Sequence, residues 1–179
     1  MGHSYGAQAA MAWASEKNSP IDAVISIDST FEVYGDEGYE KLKERWARVS
    51  NLSAPMLFFA STWEKPSFGH YASLKYAKRY YAQIDHLTHN DYVLYGAIGS
   101  GLRLASHPDP YPEFVVPEPK LTRESYEVVC CYILKFLDAY LKDDQSALEF
   151  LHNPDRGVGV NVDRLSLQFE DAVPLPPSL

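Results

Sequence analysis

Short apolar runs alternate with longer stretches of helical spacing along this chain, and polar or proline-bearing breaks separate them. Residues 5–17 are alanine-rich and stop at Asn18-Ser19-Pro20, which predicts a helix. Ala23-Val24-Ile25-Ser26-Ile27 is short and β-branched, and Asp28 ends it as a strand. Residues 36–49 place Tyr39, Leu42 and Trp46 at helical spacing before Asn51 and Pro55 break them. Residues 56–60 are a continuous apolar run of strand length, as expected where both faces of a sheet are covered. A loop containing Glu64 covers 61–69, and an aromatic and basic helix is expected over 70–81. A third strand is expected over 82–87, closed by Thr88-His89-Asn90-Asp91. The proline-rich stretch 106–119 reads as irregular. Residues 122–141 form the clearest helix, with Val128, Val129, Tyr132, Ile133, Phe136, Leu137 and Tyr140 on one apolar face. A second helix is expected over 144–151, and the segment from Asn153 to the end reads as an irregular tail.

This alternation of helix and strand predicts an α/β fold with a mostly parallel sheet flanked by helices, formed by residues 1–152. Active groups of open parallel sheets lie at the carboxyl ends of strands. That rule directs attention to Ser4, Asp28 or Glu64, and His89.

Ser4 lies in Gly2-His3-Ser4-Tyr5-Gly6, a G-x-S-x-G pattern followed at once by small residues. Glycines at this spacing suit a sharp strand-to-helix turn, because backbone approaches closely and a Cβ there would clash. Such a nucleophile elbow lifts the serine hydroxyl above the sheet. It also aims backbone N–H groups of the helix start, Tyr5 first, at the atom the hydroxyl attacks.

A serine hydroxyl needs a base, and the natural base is a histidine oriented by an acid. Of the 6 histidines, His3, His70, His86, His89, His107 and His152, only His89 is expected just past a strand's carboxyl end. His86 is expected inside that strand, and His3 is fixed beside Ser4. Asp28 and Glu64 both respect the chain order serine, acid, histidine. Asp28 is preferred because a charge directly ending an apolar strand needs a partner.

Composition narrows the function classes. A net charge of -8 argues against nucleic acid, which requires a basic patch. No apolar run approaches the ~20 residues of a membrane span, and no secretory signal pattern opens the chain, although the compartment stays open. No metal or cofactor motif is present. Cys130 and Cys131 are adjacent, too close for an unstrained bridge, and are expected to be reduced helix residues.

Together the elbow, the strand-end Asp28, the run Ala54-Pro55-Met56-Leu57-Phe58-Phe59 and the closing Thr88-His89-Asn90-Asp91-Tyr92 resemble the C-terminal portion of an α/β-hydrolase. The long helix 122–141 is similar to the last helix of dienelactone-hydrolase-like proteins. The acid after the strand that follows the elbow helix resembles the arrangement in platelet-activating-factor acetylhydrolases. The resemblance implies Ser4 as nucleophile, His89 as base, Asp28 as acid (alternatively Glu64) and the Tyr5 N–H as an oxyanion donor. It implies a small-molecule acyl or ester substrate and no cofactor. A peptidase of the same superfamily and a non-catalytic binding module are the competing readings. That family has strands before the elbow, whereas only Met1 precedes Gly2 here. The N-terminal strands are therefore expected to be missing. The chain alone is then expected to be weak or inactive, with self-association through an exposed sheet edge.

Overall fold

The computed structural model describes residues 1–29, 49–61, 71, 73–89, 91–92, 119–153 and 165–174. Within them a 5-stranded sheet runs in the order β1-β2-β3-β4-β5. The strands are β1 (Gly2–His3), β2 (Val24–Ile27), β3 (Met56–Ser61), β4 (Arg79–Ile84) and β5 (Leu165–Glu170). β1 to β4 pair parallel in sequence order, and β5 joins β4 antiparallel. The helices are α1 (Tyr5–Ala14), α2 (Pro119–Leu141) and α3 (Gln145–His152). The architecture is α/β with a mostly parallel sheet, as the alternation predicts. No helix among the described residues is long and apolar enough to cross a membrane.

Strand residues point alternately to two faces, and each face has its own core. Ile25, Ile27, Leu57, Phe59, Tyr80, Ala82 and Ile84 are buried with Val128, Tyr132 and Phe136 of α2 and Phe150 of α3. On the other face Val24, Met56, Phe58, Ala60 and Tyr81 pack with Met11 and Ala14 of α1. Helices α2 and α3 match their expected spans to within a few residues. Asp144 caps α3 by accepting hydrogen bonds from the backbone N–H groups of Ser146 and Ala147.

Three expectations are corrected. The helix expected over 70–81 is cut short: Tyr71 and Ser73 are helical, turns follow at Leu74 and Ala77, and β4 starts at Arg79. Two tyrosines of that aromatic stretch are strand residues on opposite faces: Tyr80 packs toward α2, Tyr81 toward α1's face. With both faces covered, the strand's period of two is hidden in the sequence. Consequently His86 is not in a strand; it follows β4 with a left-handed φ of 59°.

The tail is not wholly irregular either. Leu165, Leu167 and Phe169 alternate with polar residues in β5, and Leu165 and Leu167 pack against the α2 face. Arg79, buried with its guanidinium over the Tyr71 ring, pairs with the exposed Glu170 of β5, and the Val173 N–H bonds the Lys75 carbonyl 2.8 Å away. These contacts clip the segment to the sheet.

Finally, a strand does feed Ser4. Gly2 and His3 pair with Ser26 and Ile27. Cys130 and Cys131 are free and half-buried, and burial raises both thiols above their ordinary pKa. Residues 36–48 of the helix expected over 36–49, Glu64, His70, His107 and residues 106–118 of the proline-rich stretch 106–119 lie outside the described residues, and Val49 and Pro119 are helical.

Candidate active site

β1 ends at His3, and the chain turns at Ser4 straight into α1. The turn is tight because a Cβ on Gly2 would stand 2.1 Å from the Gly6 carbonyl oxygen. No side chain fits there. Gly6 itself has open space around its missing Cβ, so the clash argument holds for the first glycine of the motif and not for the second. Ser4 carries the strain of the turn, with φ 55° and ψ -126°. A non-glycine residue in such a region costs on the order of 1–3 kcal/mol and persists only when its surroundings enforce it. Here the enforcement is backbone pairing: the Ser4 N–H donates to the Ile27 carbonyl at 2.9 Å, and the Ser4 carbonyl accepts from the Ala7 N–H at 3.0 Å. The Ser4 hydroxyl makes no capping bond to α1, although serine is a favoured cap residue.

β2 delivers the acid. Its ladder continues one residue past Ile27, where the Asp28 N–H donates to the Phe59 carbonyl at 2.8 Å. Asp28 then turns away with φ 43°, a left-handed conformation that aspartate tolerates better than most residues. Its side chain is mostly buried, and its Oδ2 lies 2.7 Å from Nδ1 of His89.

His89 reaches this carboxylate from beyond β4. The segment leaving Ile84 passes back over the strand ends, so a residue from β4's side of the sheet meets residues from β1 and β2. Two sets of bonds hold it. Asp91 accepts from both the Thr88 N–H and the Thr88 hydroxyl through Oδ2, each at 2.7 Å, and the Asp91 N–H returns a bond to the Thr88 carbonyl. Nε2 of His3 donates to the His89 carbonyl at 2.8 Å. The His3 and His89 rings stand 4.5 Å apart between centroids, and Tyr92 lies behind His3 at 6.3 Å.

Tautomers follow from the partners. A carboxylate only accepts, so His89 carries its proton on Nδ1 and leaves Nε2 with a lone pair. A carbonyl also only accepts, so His3 carries a proton on Nε2. Burial lowers the His3 pKa from its ordinary 6.5, against the opposing pull of its bond to the His89 carbonyl. Burial likewise pushes the Tyr92 phenol well above its ordinary range, and the Asp28 charge adds to the shift. Tyr92 is therefore a neutral wall at neutral pH.

Of the sequence-derived residues the structure joins two directly and a third through its main chain. Asp28 and His89 are hydrogen-bonded, and Ser4 is bonded through its backbone to the residue preceding Asp28. Tyr5, immediately after Ser4, opens α1. Glu64, the alternative acid, lies outside the described residues. His3 and Asp91 have contacts here that motif reading did not assign. The Thr88-to-Asp91 spacing is a readable turn signal, because aspartate and threonine side chains bond backbone groups nearby. His3 has no such local signal, since its partner is 86 residues away. Among the described residues no group of three or more histidine, cysteine, aspartate or glutamate side chains is placed to hold a metal ion.

No family model matches the chain, and no curated protein matches it significantly.

Proposed function

We propose that this chain carries the reacting groups of an α/β-hydrolase-type serine hydrolase, acting on carboxylic esters or related acyl compounds. The observation that supports it most is the Asp28–His89 contact of 2.7 Å beside the strained Ser4 turn. In this reading Ser4 Oγ attacks the acyl carbon while Nε2 of His89 takes the hydroxyl proton. The proton then passes to the leaving alkoxide as the C–O bond breaks, and water releases the acyl group from Ser4 by the same route. Asp28 holds the imidazole in the competent tautomer and stabilises the imidazolium. The Tyr5 N–H serves as a donor to the oxyanion, a contribution of about 3–4 kcal/mol.

The test is to treat the purified chain with a fluorophosphonate and locate the adduct by peptide mass spectrometry, alongside p-nitrophenyl butyrate hydrolysis. Labelling at Ser4 that disappears in Ser4→Ala, and slows in His89→Ala, is expected. A folded chain that never takes the probe at Ser4 ends this reading.

A further inference from the structure

We propose that His3 is a positioning residue of the site, tying the backbone of the base to the strand that carries the nucleophile. The inference rests on the hydrolase reading above and deepens it. A base must be placed in two respects, the rotation of its ring and the location of its backbone. Asp28 settles the first, because its bond to Nδ1 fixes which ring edge faces away from β2. It leaves the second open, since a ring can keep one hydrogen bond while its Cα swings.

The His3 bond closes that freedom. It grips the carbonyl of His89 itself at 2.8 Å, and it comes from the residue covalently joined to Ser4. One side chain therefore spans from the nucleophile's neighbour to the base's own main chain. The tilted His3 ring, 4.5 Å from the His89 ring, also limits how far that ring can rock toward β1. Asp91 stiffens the turn internally through Thr88 but does not connect it to β1. Among the described residues, His3 supplies the hydrogen bond from β1 to the His89 turn.

The experiment separates a hydrogen-bond strap from mere ring packing. His3→Phe and His3→Leu remove the donor while staying apolar, and His3→Gln returns an N–H close to where Nε2 stood. Steady-state ester hydrolysis is measured for each, together with the downfield NMR resonance of the His89 Nδ1 proton, assigned by its change in Asp28→Asn. In the donor-less variants kcat is expected to fall by about 10- to 100-fold with KM nearly unchanged, the scale of an ångström-sized misplacement. The His89 resonance should broaden or vanish, and His3→Gln should restore most of both. Wild-type kcat and an intact resonance in His3→Phe or His3→Leu overturn the proposal, as does a Gln variant no better than either. If the wild-type protein shows no Ser4-dependent turnover, the hydrolase reading fails. The resonance alone then decides whether His3 positions His89, by the same pattern of loss and rescue.

Discussion

His89 and Asp28 are 61 residues apart in the chain and 2.7 Å apart in the fold, imidazole Nδ1 to carboxylate Oδ2. The pairing decides which ring nitrogen can accept a proton. Replacing Asp28 with asparagine puts an amide in its place, and an amide N–H favours the opposite tautomer. On the hydrolase reading Asp28→Asn should lower kcat by roughly 10⁴ without unfolding the protein. Ester kinetics beside a far-UV circular dichroism spectrum check it. A mild kinetic effect would move the acid's role elsewhere, with Glu64 the first alternative.

The two glycines of the elbow should behave differently. Gly2→Ala forces a methyl to within 2.1 Å of the Gly6 carbonyl, whereas Gly6→Ala meets open space. Overpacking of this kind costs about 1–3 kcal/mol or more. Alanine within a helix gains up to about 1 kcal/mol over glycine. Denaturant titrations should therefore show Gly2→Ala clearly destabilised and Gly6→Ala neutral or stabilised. Equal losses at both positions would contradict the turn geometry.

Ser4 stores strain that a glycine would not feel. Ser4→Gly removes the hydroxyl and relieves a φ of 55°. The gain of about 1–3 kcal/mol is offset by roughly 0.4–1 kcal/mol from the greater freedom of glycine when unfolded. A net rise in Tm is expected for Ser4→Gly, while Ser4→Ala keeps the strain and stays near wild type. On the hydrolase reading both should lack nucleophilic activity. A Tm lowered by glycine would mean that the turn is not strained.

Acid should weaken the fold partly through His3. Burial, the main cause, lowers its folded pKa below 6.5, and the His89 carbonyl bond only partly opposes it. Above that ordinary value His3 is neutral whether folded or not. As pH falls through it the unfolded chain takes up the proton first, so stability declines until the lowered folded pKa is reached. Urea midpoints between pH 7.5 and 5 should therefore fall less steeply for His3→Phe than for wild type. Parallel slopes would show that His3 titrates as freely folded as unfolded.

Much of this arrangement was legible in the residues, for physical reasons that also explain the misses. Asp28 stood out because an ionisable group ending an apolar strand demands a partner, and it has one. β3 read correctly because the apolar run 56–60 is of strand length and too short for a helix, and the strand runs Met56–Ser61. β4 did not, because a strand buried on both faces shows no alternation. β5 escaped notice because its alternation is short and its partner β4 lies 81 residues earlier at the Ile84–Leu165 end of a remote antiparallel pairing. The placement of His89 survived the misread strand because the turn after β4 lies downstream of either version. His3's partner lay beyond any local pattern.

The bridge from β4 to His89 has little slack. Strands stand about 4.8 Å apart, so crossing from β4 toward β1 and β2 takes roughly 10–14 Å. Residues 85–89 can span at most about 17 Å when fully extended. Part of that reach is spent where His86 bends back with a φ of 59°. A tether this taut makes the cluster a gauge of sheet assembly. If β4 slips along β3 or detaches from it, His89 is drawn off both Asp28 and His3, however intact the Ser4 elbow remains. On the hydrolase reading, turnover would then switch off before the core itself has melted.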